Sequence, residues 1–156
     1  MYDIRRAVPA EAVSLTAIAK AAKAHLGYPA EWLDAWDAAL TVDAAYLALH
    51  RVWVGVERES AAAAGFAALV DEGTAWRLDH LWIAPDHQGR GLGRRLWSVA
   101  MAAVRESRPG AVRIEAEPLA AGFYERCGAR MVGRVAAPVL GEARELPIFE
   151  ITITGE

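Results

Sequence analysis

The sequence predicts an α/β domain built on a central, mostly antiparallel mixed sheet, with the element order β-α-α-β-β-β-α-β-α-β-β. Three observations lead there. Helix-favouring, alanine-rich runs follow a short first strand. Three strand-like runs then succeed one another across short polar turns, the pattern of an antiparallel meander. A glycine-rich turn next changes the apolar period from strand to helix. The buried run after that helix must lie parallel to the strand before it, because the connection is a crossover.

Residues 2–8 alternate enough for a first strand, and Pro9 opens a helix at its first turn. Residues 10–26 favour helix, with Val13, Ala17 and Ala21 along one side and Gly27 as its terminal cap. Pro29 starts a second piece over residues 30–40; a third covers residues 43–50, with Thr41 or Asp43 as cap. The meander occupies residues 52–57, 62–70 and 74–83, with Gly65 marking a bulge. Leu92, Leu96, Val99, Ala100 and Ala103 make one stripe of a helix that stops near Arg105 and Arg108, before Pro109-Gly110. Residues 112–116 form a short buried strand, and residues 120–126 a helix closed by Gly128. Residues 130–135 and 147–154 are the last two strands.

A chain of 156 residues is one domain by length, residues 1–156, large enough for a full core. Hydrophobic residues make up 54%, much of it alanine. No apolar run approaches the ~18–20 residues of a membrane span. The net charge of -3 makes no electrostatic case for nucleic acid. Cys127 is the only cysteine, which rules out a disulfide framework and suits a reducing compartment. The first residues carry charges without a signal-peptide apolar core behind them. A cytoplasmic protein with no membrane or nucleic-acid partner and no metal is expected.

The run His87-Gln88-Gly89-Arg90-Gly91-Leu92-Gly93-Arg94-Arg95 lies at the strand-to-helix turn. There the first helical amides lack intrahelical partners and the helix dipole is positive, so an anion is favoured. Glycine lets the backbone approach a phosphate closely, and Arg90, Arg94 and Arg95 add charge. A P-loop needs a Gly-Lys pair, which the chain lacks. The dinucleotide fingerprint fails as well, because Arg94 or Leu96 takes its last glycine position and the crossover is not a leading βαβ unit.

What fits is Gln-x-x-Gly-x-Gly over Gln88 to Gly93, which resembles the acyl-CoA pyrophosphate loop of the bacterial GNAT-type N-acetyltransferases. The run Phe123-Tyr124-Glu125-Arg126-Cys127-Gly128-Ala129 is similar to a second signature of that family, and the two together span residues 76–133. The element order is also that of the GNAT fold, whose sheet is splayed at its fourth and fifth strands. The resemblance implies acetyl-CoA as cosubstrate. Backbone groups of Leu81, Trp82 and Ile83 would pair with the pantetheine arm. The amides of Gly89, Arg90, Gly91, Leu92, Gly93 and Arg94, next to Gln88, would hold the pyrophosphate.

Acetyl transfer from a thioester to an amine needs a polarised carbonyl, a neutral amine and a proton for the departing thiolate, but no covalent nucleophile. Cys127, just before a helix-ending glycine, reads as core. Tyr124 falls where the family places its general acid, and a phenol of pKa about 10 suits that role. Asp79 and His80 are candidates for the base; neighbours alternate in a regular strand, so only one is expected to face the cleft. Glu115 and Glu117 lie at the cleft end of the next strand. Glu117 and Pro118-Leu119-Ala120 depart from the family's asparagine-bearing pattern, which puts an amide contact to the cosubstrate in doubt. Specificity is expected from the first helices and the last hairpin. Lys23 to Pro29 resembles a segment of one bacterial GNAT subgroup; Trp32 and Trp36 read as pocket wall or core, and Glu31, Asp34 and Asp37 as an acidic patch or a solvated face. The function expected is transfer of acetyl from acetyl-CoA to a primary amine of a small molecule or an amino terminus. The alternative is an acyl-CoA-binding regulatory module of the same fold. A homodimer through the last strands rests on the resemblance alone.

Overall fold

The computed structural model describes residues 1–155, and among them seven strands form one sheet. They are β1 (Tyr2–Arg6), β2 (Arg51–Glu57), β3 (Ala63–Asp71), β4 (Trp76–Ile83), β5 (Gly110–Glu115), β6 (Arg130–Ala136) and β7 (Glu145–Ile153). The spatial order is β1-β2-β3-β4-β5-β7-β6. Every pairing is antiparallel except β4–β5, which is parallel as the crossover requires.

The helices are α1 (Ala12–Ala24), α2 (Ala30–Ala35), α3 (Asp37–Leu40), α4 (Ala44–Leu49), α5 (Leu92–Ser107) and α6 (Ala121–Arg126). Pro9–Glu11 forms a 3-10 turn ahead of α1, where the Glu11 carboxylate accepts from the Val8 amide at 2.9 Å and is gripped by Arg5. The helix expected over residues 30–40 breaks at Trp36, whose φ of -90° and ψ of 3° leave the α region. Asp43, rather than Thr41, caps α4 by accepting from the Tyr46 amide at 2.8 Å. Gly27 takes the left-handed conformation that ends α1.

Alternation along the strands divides the core in two. Trp53, Ala67, Leu69 and Trp76 face α5, with Leu96, Ala100 and Val104 packed on them. Val52, Val54, Phe66 and Ala68 face Leu15 and Ile18 of α1 and Leu40 and Leu47 of α3 and α4. The expected stripe of α5 is the buried one. That of α1 is not: Val13 is 83% exposed, and Leu15, Ile18, Ala19 and Ala22 go inward instead. The large Leu15 and Ile18 outweigh a file of alanines.

The depth of α5 is set by its first residue. A Cβ on Gly55 would stand 2.6 Å from Leu92 Cδ1, and one on Gly65 would stand 2.9 Å from the Trp82 carbonyl. Leu92 thus lies on two glycines, and no helix described is long and apolar enough to cross a membrane. The bulge of β3 falls at Ala64, beside Gly65, since Gly55 pairs with Gly65 and Val56 with Ala63. A second bulge occurs in β4, where Ala68 pairs with His80 but Leu69 with Leu78, leaving Asp79 over. Gly55→Ala is expected to destabilise the protein by about 1–3 kcal/mol through overpacking. Adding Leu92→Val should return part of that loss, so chemical denaturation of the two single variants and the double variant will show non-additivity.

Candidate active site

β4 and β5 are joined by two residue pairs only, Trp76 with Val112 and Arg77 with Arg113. β4 then runs on to Ile83 held by β3, and β5 to Glu115 held by β7, so the sheet splays between its fourth and fifth strands. A cavity of ≈ 310 Å³ occupies the opening, reaching from Gln88 and Gly93 past Phe123 and Tyr124 to Asp79 and Glu117. Leu81, Trp82 and Ile83 line it. A second cavity of ≈ 320 Å³ shares Leu78, Asp79, His80, Trp82, Glu115 and Glu117 with the first and adds Lys23, Trp36, Arg77 and Arg144. The two therefore meet at the bulge of β4.

The turn before α5 has the geometry that anion binding asks for. Gly89 has φ of 77° and Gly91, the N-cap, φ of 85°, and nothing stands within 4 Å of where a Cβ would be at either. No side chain caps the helix, which leaves the amides of Leu92, Gly93 and Arg94 to an external acceptor. The Gln88 amide donates to the Ile83 carbonyl at 3.1 Å, and the Tyr2 hydroxyl is 2.8 Å from His87 Nδ1, so β1 braces the turn. Arg90 and Arg94 are exposed beside it. Arg95 is turned away, its guanidinium donating to the Tyr2 carbonyl at 3.1 Å, so it does not add charge to the loop as the sequence led us to expect.

Tyr124 lines the first cavity, packed among Trp97, Phe123 and Phe149. Burial holds its phenol well above the usual range, so it keeps its proton. Cys127 packs against the same core, and burial raises its thiol, away from nucleophilic use.

Asp79 and His80 both line both cavities, contrary to the expectation that only one would face the cleft. The bulge at Asp79 suspends strand alternation there. Asp79 accepts from the Tyr46 hydroxyl at 2.5 Å and lies 3.3 Å from Arg77. An indole can only donate, so the 3.1 Å bond from Trp82 Nε1 fixes His80 Nδ1 as an acceptor and puts the proton on Nε2. Burial holds this imidazole below its usual pKa, and it is neutral at pH 7.

Glu117 is the centre of a buried cluster absent from the sequence reading. Its carboxylate accepts from Lys23 Nζ at 2.8 Å, from the Tyr28 hydroxyl at 2.9 Å, from Arg144 Nη2 at 3.2 Å and from the Leu119 amide at 2.8 Å. Trp36 lies against both cations, 4.2 Å from Lys23 Nζ and 4.8 Å from the Arg144 guanidinium carbon. Trp32 stacks on Tyr28 and does not line either cavity. Glu31, Asp34 and Asp37 are exposed and line neither cavity, and Asp37 pairs with Lys20. One signal for the cluster was present in the sequence: a lysine on the face of α1 that carries Ile18, Ala19 and Ala22 needs a buried partner. Among the described residues, no group of three or more His, Cys, Asp or Glu side chains is placed to hold a metal ion.

Comparison with known proteins bears on this arrangement. The family model described as "Acetyltransferase (GNAT) domain" matches residues 32–137. No curated protein matches the chain significantly. A GCN5-related N-acetyltransferase from Rhodopseudomonas palustris superimposes with a TM-score of 0.80 at 22% identity, covering 97% of this chain and 95% of its own. The PaiA N-acetyltransferase of Thermoplasma acidophilum, solved in complex with coenzyme A, gives 0.79 at 14% identity over 97% and 99%. A putative acetyltransferase of Salmonella typhimurium, yncA, solved with its cofactor acetyl-CoA, gives 0.74 at 22% identity over 97% and 94%. At these identities the likeness is one of fold.

Glu117→Ala would strand Lys23 and Arg144 without their anion, and a loss of about 3–5 kcal/mol in folding stability is expected. The bonds from Lys23, Leu119 and Tyr28 outweigh burial and hold the Glu117 carboxyl below its usual range. Its stabilisation is thus fully present above the unfolded value of about 4.3 and lost as pH falls through the lower folded value. Thermal melts from pH 7 downwards should show the gap between wild type and Glu117→Gln closing across that acid window.

Proposed function

The chain belongs to the GNAT acetyltransferase family, and from that premise we propose that residues 1–156 act as a single domain that transfers an acetyl group from acetyl-CoA to a primary amine of a small molecule or an amino terminus. Transfer is direct, with no covalent enzyme intermediate. The observation that carries this reading is the continuity of the first cavity. It begins at the uncapped start of α5, passes an edge of β4 without a strand partner, and ends between Tyr124 and Asp79.

The residues present fit the cosubstrate. The open space at Gly89 and Gly91 and the free amides from Gly89 to Arg94 suit a pyrophosphate, which needs N–H donors and close backbone approach. Leu81, Trp82 and Ile83 offer backbone donors and acceptors to an amide-bearing arm, as an added strand would use them. Acetyl-CoA supplies the activated thioester when bound.

The protein's share is orientation and proton transfer. An alkylamine of pKa about 10.4 arrives mostly as ammonium, and the Asp79 carboxylate takes the proton it must lose, directly or through water. The amine nitrogen then bonds to the acetyl carbon as the carbon–sulfur bond breaks, and the second proton that the nitrogen sheds in becoming an amide passes to solvent. Tyr124 gives its phenolic proton to the departing sulfur, and exchange with solvent restores both side chains. His80 acts by position. Its Nδ1 is occupied by the Trp82 indole and its Nε2 already carries a proton, so it holds Trp82 and the strand in place and leaves the base role to Asp79.

Calorimetric titration should show saturable binding of acetyl-CoA and of CoA but not of ATP, lost in Gly91→Glu, where a side chain would be strained at positive φ and repel phosphate. Absence of acetyl-CoA binding would overturn the proposal. Tyr124→Phe is expected to lower turnover at neutral pH by about tenfold or more while acetyl-CoA affinity stays within a few-fold. Unchanged turnover would remove Tyr124 as the acid.

A further inference from the structure

Two clusters of charged side chains line the second cavity, and they differ in sign. In the first, Lys23 and Arg144 have a single carboxylate, Glu117, between them. That carboxylate already accepts from four groups, so the cluster keeps one unbalanced positive charge. Arg144 uses only Nη2 on Glu117 and Tyr28; among the described residues its Nη1 and Nε have no hydrogen-bond partner. Its side chain is 11% exposed, and it lines the cavity. Nε and Nη1 lie on different sides of the guanidinium, so a carboxylate there is held by charge and a single N–H bond rather than by a fork.

In the second cluster the balance is reversed. Asp79 and Glu115, which with Glu117 line both cavities, share one cation, Arg77, itself divided between Asp79 at 3.3 Å and Glu72 at 3.1 Å. His80 contributes no charge. Much of the remaining lining is apolar: Trp36, Ala39, Leu40, Ala137 and Leu146. A volume of ≈ 320 Å³ belongs to the small-metabolite end of ligand cavities.

We propose that the acceptor is a free amino acid or a close analogue, a primary amine that carries a carboxylate and an apolar side chain. Its carboxylate binds the Arg144 guanidinium beside Lys23, its carbon skeleton packs on Trp36, Leu40 and Leu146, and its ammonium lies against Asp79 and Glu115 where the two cavities meet. This deepens the reading given above and rests on it for the chemistry. The same site recognises neither an uncharged peptide amino terminus nor a simple alkylamine with equal strength, because both leave the positive cluster unbalanced.

The test compares three isosteric series: leucine, methionine and phenylalanine, each beside its amide and its decarboxylated amine. Binding is measured by calorimetric titration of the protein alone and saturated with CoA, and turnover by thiol release from acetyl-CoA. Each amino acid should bind about tenfold or more tightly than its amide and its decarboxylated amine. In Arg144→Gln that preference should vanish while binding of the decarboxylated amines stays within a few-fold. A thermal melt confirms that the variant folds, and the wild-type comparison stands without it. Equal or tighter binding of the amides or amines overturns the inference, as does failure of all three amino acids to bind. Release of thiol with the carboxylate-free amines alone would leave the acetyltransferase reading intact while removing this one. Binding of the amino acids without thiol release from any probe would do the reverse.

Discussion

Two residue pairs hold β4 to β5, and the rest of the functional architecture depends on the pairing stopping there. Strand edges are ordinarily satisfied by a neighbour. Here both strands go on, each bonded on its far side, and the edges between them are left facing a cavity. Two local devices keep them apart. The extra residue at Asp79 re-aims β4, and the Glu117–Pro118 turn ends β5, with Glu117 capping the 3-10 segment Pro118–Ala120. The same two residues line both cavities, where the reading proposed above would put the reacting end and the acceptor.

The buried cluster around Glu117 is an expensive way to stabilise a fold. Two cations and one anion removed from water cost more than an apolar set of the same volume, unless every donor finds an acceptor. Burial pushes Lys23 below its usual range, which reflects that cost. The indole of Trp36 offsets part of it by offering its face to both cations. On the acceptor reading proposed above, that cost would serve recognition, since the cluster is in the wall of the second cavity.

Much of the fold was legible in the sequence because it is written in short-range pattern. The period change across Gly89 to Gly93 identified the turn and the helix after it, and the crossover rule then made β5 parallel to β4. The stripe of α5 was legible because Leu92 and Leu96 are large. What was illegible lies in contacts between distant residues. Lys23 is 94 positions from Glu117, and Tyr2 is 85 from His87, and no local periodicity reports such pairs. The face of α1 was misread because alanines mark a face weakly, and with it the inward position of Lys23 was lost. The bulge at Asp79 was equally silent, since a single unpaired residue changes no pattern.

The cluster also bears on how proteins of this architecture diverge. Lys23 comes from α1, Tyr28 from the segment after it, Glu117 from the end of β5 and Arg144 from the hairpin between β6 and β7. Lys23 thus belongs to the amino-terminal helices and Arg144 to the last hairpin. In this molecule neither can be replaced alone, because each carries a share of one charge balance. On the acceptor site proposed above, specificity would rest on a set of four side chains spread over most of the chain. A chimera that moves the amino-terminal helices without positions 117 and 144 would inherit an orphaned ion rather than a new substrate.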